Sequence, residues 1–328
     1  MKREVGIILG IAILALALSP LVAQAQQPIS IRFGHVGFPG SLFALTADEY
    51  AKRVNSALKG KVEVKVFHSS QLGSDEQMSR GVKVGAPEMF LPSTVMSTVE
   101  QKFGVFEMPY IIVSRAHIKK VAENKQAQQN LFEPLPAKGM RILGVWENGF
   151  RHITNNVRPI AKPDDLKGIK LRVPGGVWRV KMFKAYGANP SPMPLAEVYS
   201  ALQSGVMDGQ ENPFPQIASA RFQEVQKFLS LSGHVYTPAY LVVGEDSWKK
   251  LPQDVQATLS KIAWEMGDFA RSEGARLDKE LMGKLAPPMK ANEVDKDGFI
   301  KASASIYEDF GKEVAGAAEL VRLIQSLR

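Results

Sequence analysis

Several short stretches alternate hydrophobic and polar residues, and between them apolar residues recur at helical spacing. Ile29, Ile31, Phe33 and His35 alternate with Ser30, Arg32 and Gly34, the period of a strand with one face in a core. Phe43, Ala47, Tyr50, Ala51, Val54 and Leu58 then keep one helical face, ended by Gly60. Val62, Val64 and Val66 alternate with Lys61, Glu63 and Lys65 as a second strand, and Ser74 to Gln77 has the spacing of a capping box opening a second helix. Strands joined by crossovers of helix length predict a parallel sheet.

Further along, residues 89–93 read as a short strand breaking at Pro92-Ser93-Thr94. Residues 103–112 are apolar but contain Pro109, which suits a buried loop better than a central strand. Residues 113–131 read as a helix, and 141–146 as a strand followed directly by Glu147-Asn148-Gly149-Phe150-Arg151-His152. Ile169, Leu171 and Val173 alternate with Lys170 and Arg172, and Pro174-Gly175-Gly176 ends that strand. Helices are predicted over 177–186 and 195–204, the second with Pro194 at its start and Gly205 after its end. Val206-Met207-Asp208 then leads to Gln210-Glu211-Asn212-Pro213. Residues 217–229 read as a helix, 235–243 as a strand interrupted by Pro238, 252–285 as a long helix ended by Pro287-Pro288, and 300–327 as a further helical region. In an open α/β sheet, ligands gather beyond the carboxyl ends of the strands. Arg172 and Arg151 both stand at such ends.

The N-terminus departs from this pattern. Lys2 and Arg3 precede an apolar run from Val5 to Leu18, followed by Ser19-Pro20 and Ala23-Gln24-Ala25. This is the layout of a secretory signal cleaved after Ala25, and the run is shorter than the roughly 20 residues that span a bilayer. The 328 residues suggest about two domains. There is no cysteine, which excludes disulfides, thiol nucleophiles and thiolate metal sites and suits an oxidising compartment. The net charge is +8, and removing Lys2, Arg3 and Glu4 takes away one positive charge, leaving +7. A basic balance favours anionic ligands, but the lysines are scattered, so nucleic-acid binding is not expected.

Enzyme signatures are thin: G-x-S-x-G, H-E-x-x-H, the P-loop and G-x-G-x-x-G are all missing. His35, His68, His117, His152 and His234 are far apart and none has metal-ligand spacing with another. Neither a metal nor a cofactor is expected. The pair Asp164-Asp165 stands where a helix would be capped. Arginine offers a rigid donor fork that matches a carboxylate. Most arginines are solvated or locally paired, but Arg172 follows an alternating strand and a Pro-Gly-Gly bend stops it where a cleft would open. Arg151 has only its position in its favour. Asn212 reads equally as a polar loop residue or a ligand donor. Trp146 and Trp178 read first as core or groove-wall residues.

The segments FRHITNNVRPI, DLKGIKLRVP and ALQSGVMDGQENP, with FHSSQLGSDEQM and IRFGHVGFPGSLF, resemble the signature blocks of DctP-type solute-binding proteins of tripartite ATP-independent periplasmic (TRAP) transporters. The resemblance covers nearly all of the chain after the signal. It departs at Gly85-Ala86-Pro87-Glu88-Met89, where the family usually has Gly, a small residue and Asp. The resemblance implies a two-domain α/β periplasmic binding protein, class II-like, with a long hinge-spanning helix. The expected division is 26–148 with 237–277, and 149–236 with 278–328, the helix 252–285 bridging both. It implies no catalysis, a carboxylate ligand clamped by Arg172, further contacts from Arg151 and Asn212, membrane subunits of a TRAP transporter as partners, and a periplasmic monomer. Ser93 at its strand break is a further candidate contact. Phe38, Trp146, Phe150, Trp178 and Phe214 lie near the blocks, and all but Phe150 are taken as candidate ligand contacts. They suggest an aromatic or apolar-tailed monocarboxylate, with a C4-dicarboxylate or 2-oxo acid as the alternative. A ligand-sensing module and a hydrolase of anionic substrates are the competing function classes.

Overall fold

The computed structural model describes residues 27–328; the expected cleavage site after Ala25 lies outside the described residues. The first half of the chain runs β1 (Ile29–Gly34), α1 (Leu42–Ala57), β2 (Val62–Phe67), α2 (Asp75–Gly81), β3 (Met89–Phe90), α3 (Met96–Val99), α4 (Arg115–Glu123), α5 (Lys125–Leu131) and β4 (Met140–Phe150). Then come β5 (His152–Asn155), β6 (Lys170–Val173), α6 (Val177–Ala185), β7 (Asn189–Pro192), α7 (Leu195–Gln203), β8 (Gly209–Asn212), α8 (Phe214–Ser219) and β9 (Phe228–Ser230). The chain ends with β10 (Tyr236–Gly244), α9 (Glu245–Lys249), α10 (Gln253–Leu285), β11 (Lys290–Asn292), α11 (Lys296–Ala302), α12 (Ala304–Glu313) and α13 (Ala317–Ser326).

The strands form two sheets, ordered β2-β1-β3-β10-β4 and β11-β9-β5-β8-β6-β7. β1 runs parallel to β2 and β3, as the helix-length crossover requires, whereas β10 is antiparallel to β3 and β4. The chain passes between sheets three times, the last through α9 and α10 from β10 to β11. β4 leads through the single residue Arg151 into β5, and residues 231–235 join β9 to β10. The capping box at α2 is present: Gln77 N donates to Ser74 Oγ and Ser74 N to Gln77 Oε1.

The 33-residue helix α10 packs on β4 of the first sheet, on α1, and on α8, the helix that follows β8 of the second sheet. Its C-terminal neighbours depart from the expected division. α13 packs on α5 and on the 3-10 segment Gln101–Glu107, while α12 lies against α6. Residues 278–328 therefore bind both lobes rather than the second alone.

Three other expectations change for local reasons. The helix expected over 113–131 is two, because Asn124 ends α4 and its side chain caps α5 by accepting from Ala127 N. The helix expected over 217–229 stops at α8, since Arg221 is in the left-handed region (φ 60), and β9 then pairs with β5. β7 has the sequence Asn-Pro-Ser-Pro and was not expected as a strand. Its place at the sheet edge tolerates prolines, which lack the donor a central strand needs.

Candidate ligand-binding site

Arg172 is the next-to-last residue of β6 and faces Gln210 of β8 in parallel register. It is 3% exposed. Its Nε and Nη2 both donate to the carbonyl oxygen of Met193, at 2.8 and 2.6 Å. No carboxylate pairs with it among the described residues. Burial, and then the charge of Arg151, push its guanidinium down to about 10. It therefore stays cationic at neutral pH, desolvated and without a counter-ion in contact.

The acids whose charges act on it are Glu211 and then Asp75 and Glu76, the last two in the first turn of α2. The Asp75 Oδ1 is buried without a partner. Burial, and then the charge of Glu76, push its carboxyl up to about 7, against the opposing pull of Arg172. The bend after β6 closes against the first lobe. A Cβ on Gly175 would stand 2.6 Å from Glu76 Oε1, and one on Gly176 3.0 Å from Ser97 Oγ. Gly176 also has φ +142, which side chains rarely adopt. The two lobes thus touch beside Arg172, which is why so polar a residue is buried.

The first lobe supplies further polar groups near this contact. Ser93 Oγ donates to Pro238 O at 2.8 Å and accepts from Asn148 Nδ2 at 3.3 Å. Asn148 Oδ1 and Thr94 Oγ1 are buried without partners, and Thr94 lies against Gly176. From the second lobe, Asn212 donates to Gln210 Oε1 at 2.6 Å and is 4% exposed.

Arg151 sits in a buried charge network beside this site. Its Nε and Nη2 grip the Glu211 carboxylate at 2.5 and 2.9 Å, and Nη2 also donates to the Glu211 carbonyl at 2.6 Å. Arg179 donates to the same carboxylate at 2.7 Å and to Glu107 at 2.9 Å. Burial alone would raise the Glu211 carboxyl, but Arg151 and Arg179 hold it well below its ordinary value. Burial keeps His234 neutral. Its Nε2–H donates to Glu211 at 3.1 Å, and Ser232 stands 2.8 Å from its Nδ1. The expected free ligand fork of Arg151 is thus largely committed to Glu211, leaving Nη1.

The four aromatic candidates lie in different surroundings. Trp146 is fully buried in the first-lobe core, its indole N–H donating to Ala263 O at 2.8 Å. Trp178 is buried edge-on to Phe310. Phe214 stacks on His152 and lines a different cavity. Phe38 is half-buried on the turn before α1, packed on the first-lobe core. Indole and phenyl groups this apolar satisfy themselves in the core first.

Asp75, Glu76, Asn148, Thr94 and Glu211 were not anticipated. The signal for Glu211 was three successive polar residues, Gln210 to Asn212, in a short strand whose every residue is buried. Asp75 carried only a helix-start signal, because its approach to Arg172 depends on how the lobes meet.

The sequence model of "Bacterial extracellular solute-binding protein, family 7" (DctP) matches residues 33–313. The chain is 32% identical over 318 residues to the 2,3-diketo-L-gulonate-binding periplasmic protein of Escherichia coli K12, covering 96% of this chain and 95% of that protein. It is 35% identical over 291 residues to the C4-dicarboxylate-binding periplasmic protein of Rhodobacter capsulatus, covering 88% and 85%. Among solved structures, the sugar acid binding protein of Advenella mimigardefordensis in complex with galactonate superposes with a TM-score of 0.87 at 32% identity, covering 92% of this chain and 98% of that one.

Proposed function

The chain belongs to bacterial extracellular solute-binding protein family 7, and on that premise we propose that it captures a hydroxylated organic acid monoanion in the periplasm and delivers it to the membrane subunits of a TRAP transporter. The observation that carries this reading is Arg172: a buried cation whose only bonded partner among the described residues is a backbone carbonyl. Buried charges are normally paired, and a ligand carboxylate on the free Nη1 supplies the missing partner. Nη1 of Arg151 and the Asn212 amide flank it, and Ser93 joins from the first lobe.

Asp75 and Glu76 decide the rest of the ligand. A second carboxylate placed near them meets like charge, whereas a hydroxyl donates to the unpartnered Asp75 Oδ1. Relatives named for both sugar acids and C4-dicarboxylates are compatible with the fold. The two acids near the clamp favour the hydroxy acid over the apolar-tailed acid. A thermal-shift screen of aldonates, uronates, succinate, malate and aryl carboxylates tests the reading, since a ligand at 100-fold its Kd adds about 2.7 kcal/mol. Hydroxy acids should give the largest shifts. Succinate outranking every sugar acid would overturn the assignment.

A further inference from the structure

A second cavity, of about 950 Å³, lies on the other side of the β4–β5 crossover. Phe150 and His152 flank Arg151, and neighbouring side chains of an extended chain leave on opposite faces. They line this cavity, while Arg151 turns to Glu211. None of Arg172, Asp75, Glu76, Ser93, Asn148 or Asn212 lines it, so it is separate from the site described above. Its volume is within the usual range of about 300–1,000 Å³ for ligand pockets.

The walls are mostly apolar, and His152, Lys296, Gln325, Arg328 and Asp278 are among the polar side chains on them. Phe214, stacked on His152 with ring centres 4.3 Å apart, forms the floor with Phe150. Tyr307, Ala304 and Ile300 of α11 and α12 form one side, and Ile300 is 49% exposed at the rim. His152 Nδ1 accepts from Gly233 N at 3.2 Å. The neutral ring then carries its proton on Nε2, which has no partner among the described residues. Lys296, near enough to act on the His152 ring, makes no ion pair among the described residues, and Arg328 adds a second cation. The acid on the wall, Asp278, is held by Arg115 at 2.6 Å, a cation it shares with the buried Glu147.

We propose that this cavity is a second ligand site, for an amphipathic anion with an aromatic or aliphatic body and one acid group. The body lies on Phe150, Phe214 and Tyr307, and the acid group meets Lys296 and the His152 Nε2–H. Apolar walls give such a ligand most of its binding and the convergent donors fix its orientation.

The probe is 8-anilinonaphthalene-1-sulfonate, which has a flat apolar body and one permanent anion. Titrated into the full-length mature protein, it should show saturable fluorescence at one probe per chain. Lys296→Glu and Ala304→Trp, both at exposed positions, should each weaken binding at least tenfold, while Arg172→Ala should leave it unchanged. Absence of saturable binding, or equal binding by both cavity variants and the wild type, overturns the proposal. So does a loss confined to Arg172→Ala, which puts the probe in the first site. Circular dichroism melts of the variants should match the wild type; a variant that melts early is replaced by Ile300→Glu, also exposed, and judged by the same tenfold criterion.

Discussion

Replacing Arg172 by alanine separates a ligand clamp from a structural ion pair, because the two roles have opposite effects on the apo protein. In the closed cleft the ligand carboxylate is desolvated, and removing one partner of a buried pair costs about 3–5 kcal/mol. At about 1.4 kcal/mol per tenfold, affinity should fall by roughly a hundred- to several-thousand-fold. The apo protein has two opposing terms. Arg172→Ala removes two charge-assisted hydrogen bonds to Met193 O, each worth about 1.5–3 kcal/mol. It also removes a cation that burial and Arg151 have pushed down from 12.5 to about 10, a cost to the fold of about 3 kcal/mol at neutral pH. The two bonds together contribute about 3–6 kcal/mol and offset a cost of about 3 kcal/mol, so the apo melting temperature should stay level or fall by a few degrees. Arg172→Lys should also bind weakly, since one ammonium cannot span both Met193 O and a carboxylate. Calorimetric titration with the best acid from the screen, alongside apo melts, reads both quantities. Near-wild-type affinity in Arg172→Ala, or lost affinity with a collapsed apo melt, would falsify the clamp.

Glu211→Gln should do the reverse of Arg172→Ala. It strands Arg151 and Arg179 without their shared carboxylate, a loss of about 3–5 kcal/mol, so the apo melt should drop by several degrees; an unchanged melt refutes the network's structural role. For Asp75, a folded carboxyl near 7 against an ordinary 3.8 means that the folded apo protein holds a proton the unfolded chain has already released. Stability should therefore fall as pH rises from about 4 to about 7, by up to about 4 kcal/mol, and level off above. Asp75→Asn should flatten that slope in a series of melts, and an unaltered slope counts against it. Gly176→Ala adds a Cβ 3.0 Å from Ser97 Oγ at a φ of +142, so it should hold the lobes apart. Small-angle scattering should then show no ligand-induced decrease in radius of gyration, whereas the wild type should contract; equal contraction in both is the contrary result.

The strands and helices legible in the sequence are those whose periodicity is local. β1, β2 and β6 alternate cleanly, and α10 keeps an apolar face through Leu259, Ile262, Met266 and Ala270. β7 and β9 were not legible, because an edge strand of alternating prolines and a three-residue strand carry no period of their own; they exist through pairing with β6 and with β5. The site divides the same way. A strand end and a Gly-Gly bend single out Arg172 in the sequence; the structure adds its burial and its lack of a carboxylate partner among the described residues. Trp146 and Trp178 stand in the same motif blocks and are core residues, since proximity in sequence does not tell which face of a strand or helix a side chain leaves. Asp75 stands 97 positions before Arg172 in the sequence, and only closure of one lobe on the other brings them near.

That arrangement explains why one arginine is available while its neighbours are not. Arg151 and Arg179 are cancelled by Glu211 and Glu107, with His234 neutral, so the network is balanced within itself although every member is buried. A balanced network contributes little attraction for an anion at a distance. Arg172 forms no bond with it, is repelled by Arg151 more than it is attracted by Glu211, and among the described residues is bonded only to Met193 O. Of the acids that act on it, Glu211 is held by Arg151 and Arg179, Asp75 and Glu76 make no ion pair with it, and Asp75 is held near half-protonation at neutral pH. An incoming carboxylate therefore relieves the desolvation of Arg172 and its repulsion by Arg151 together, while breaking no existing ion pair. The same anion placed against Arg151 would have to displace Glu211 from a two-pronged grip, leaving a buried carboxylate unpaired. Under the proposed clamp this difference favours Arg172, because Arg151, the one residue between β4 and β5, is spent on holding the Glu211 carboxylate of β8.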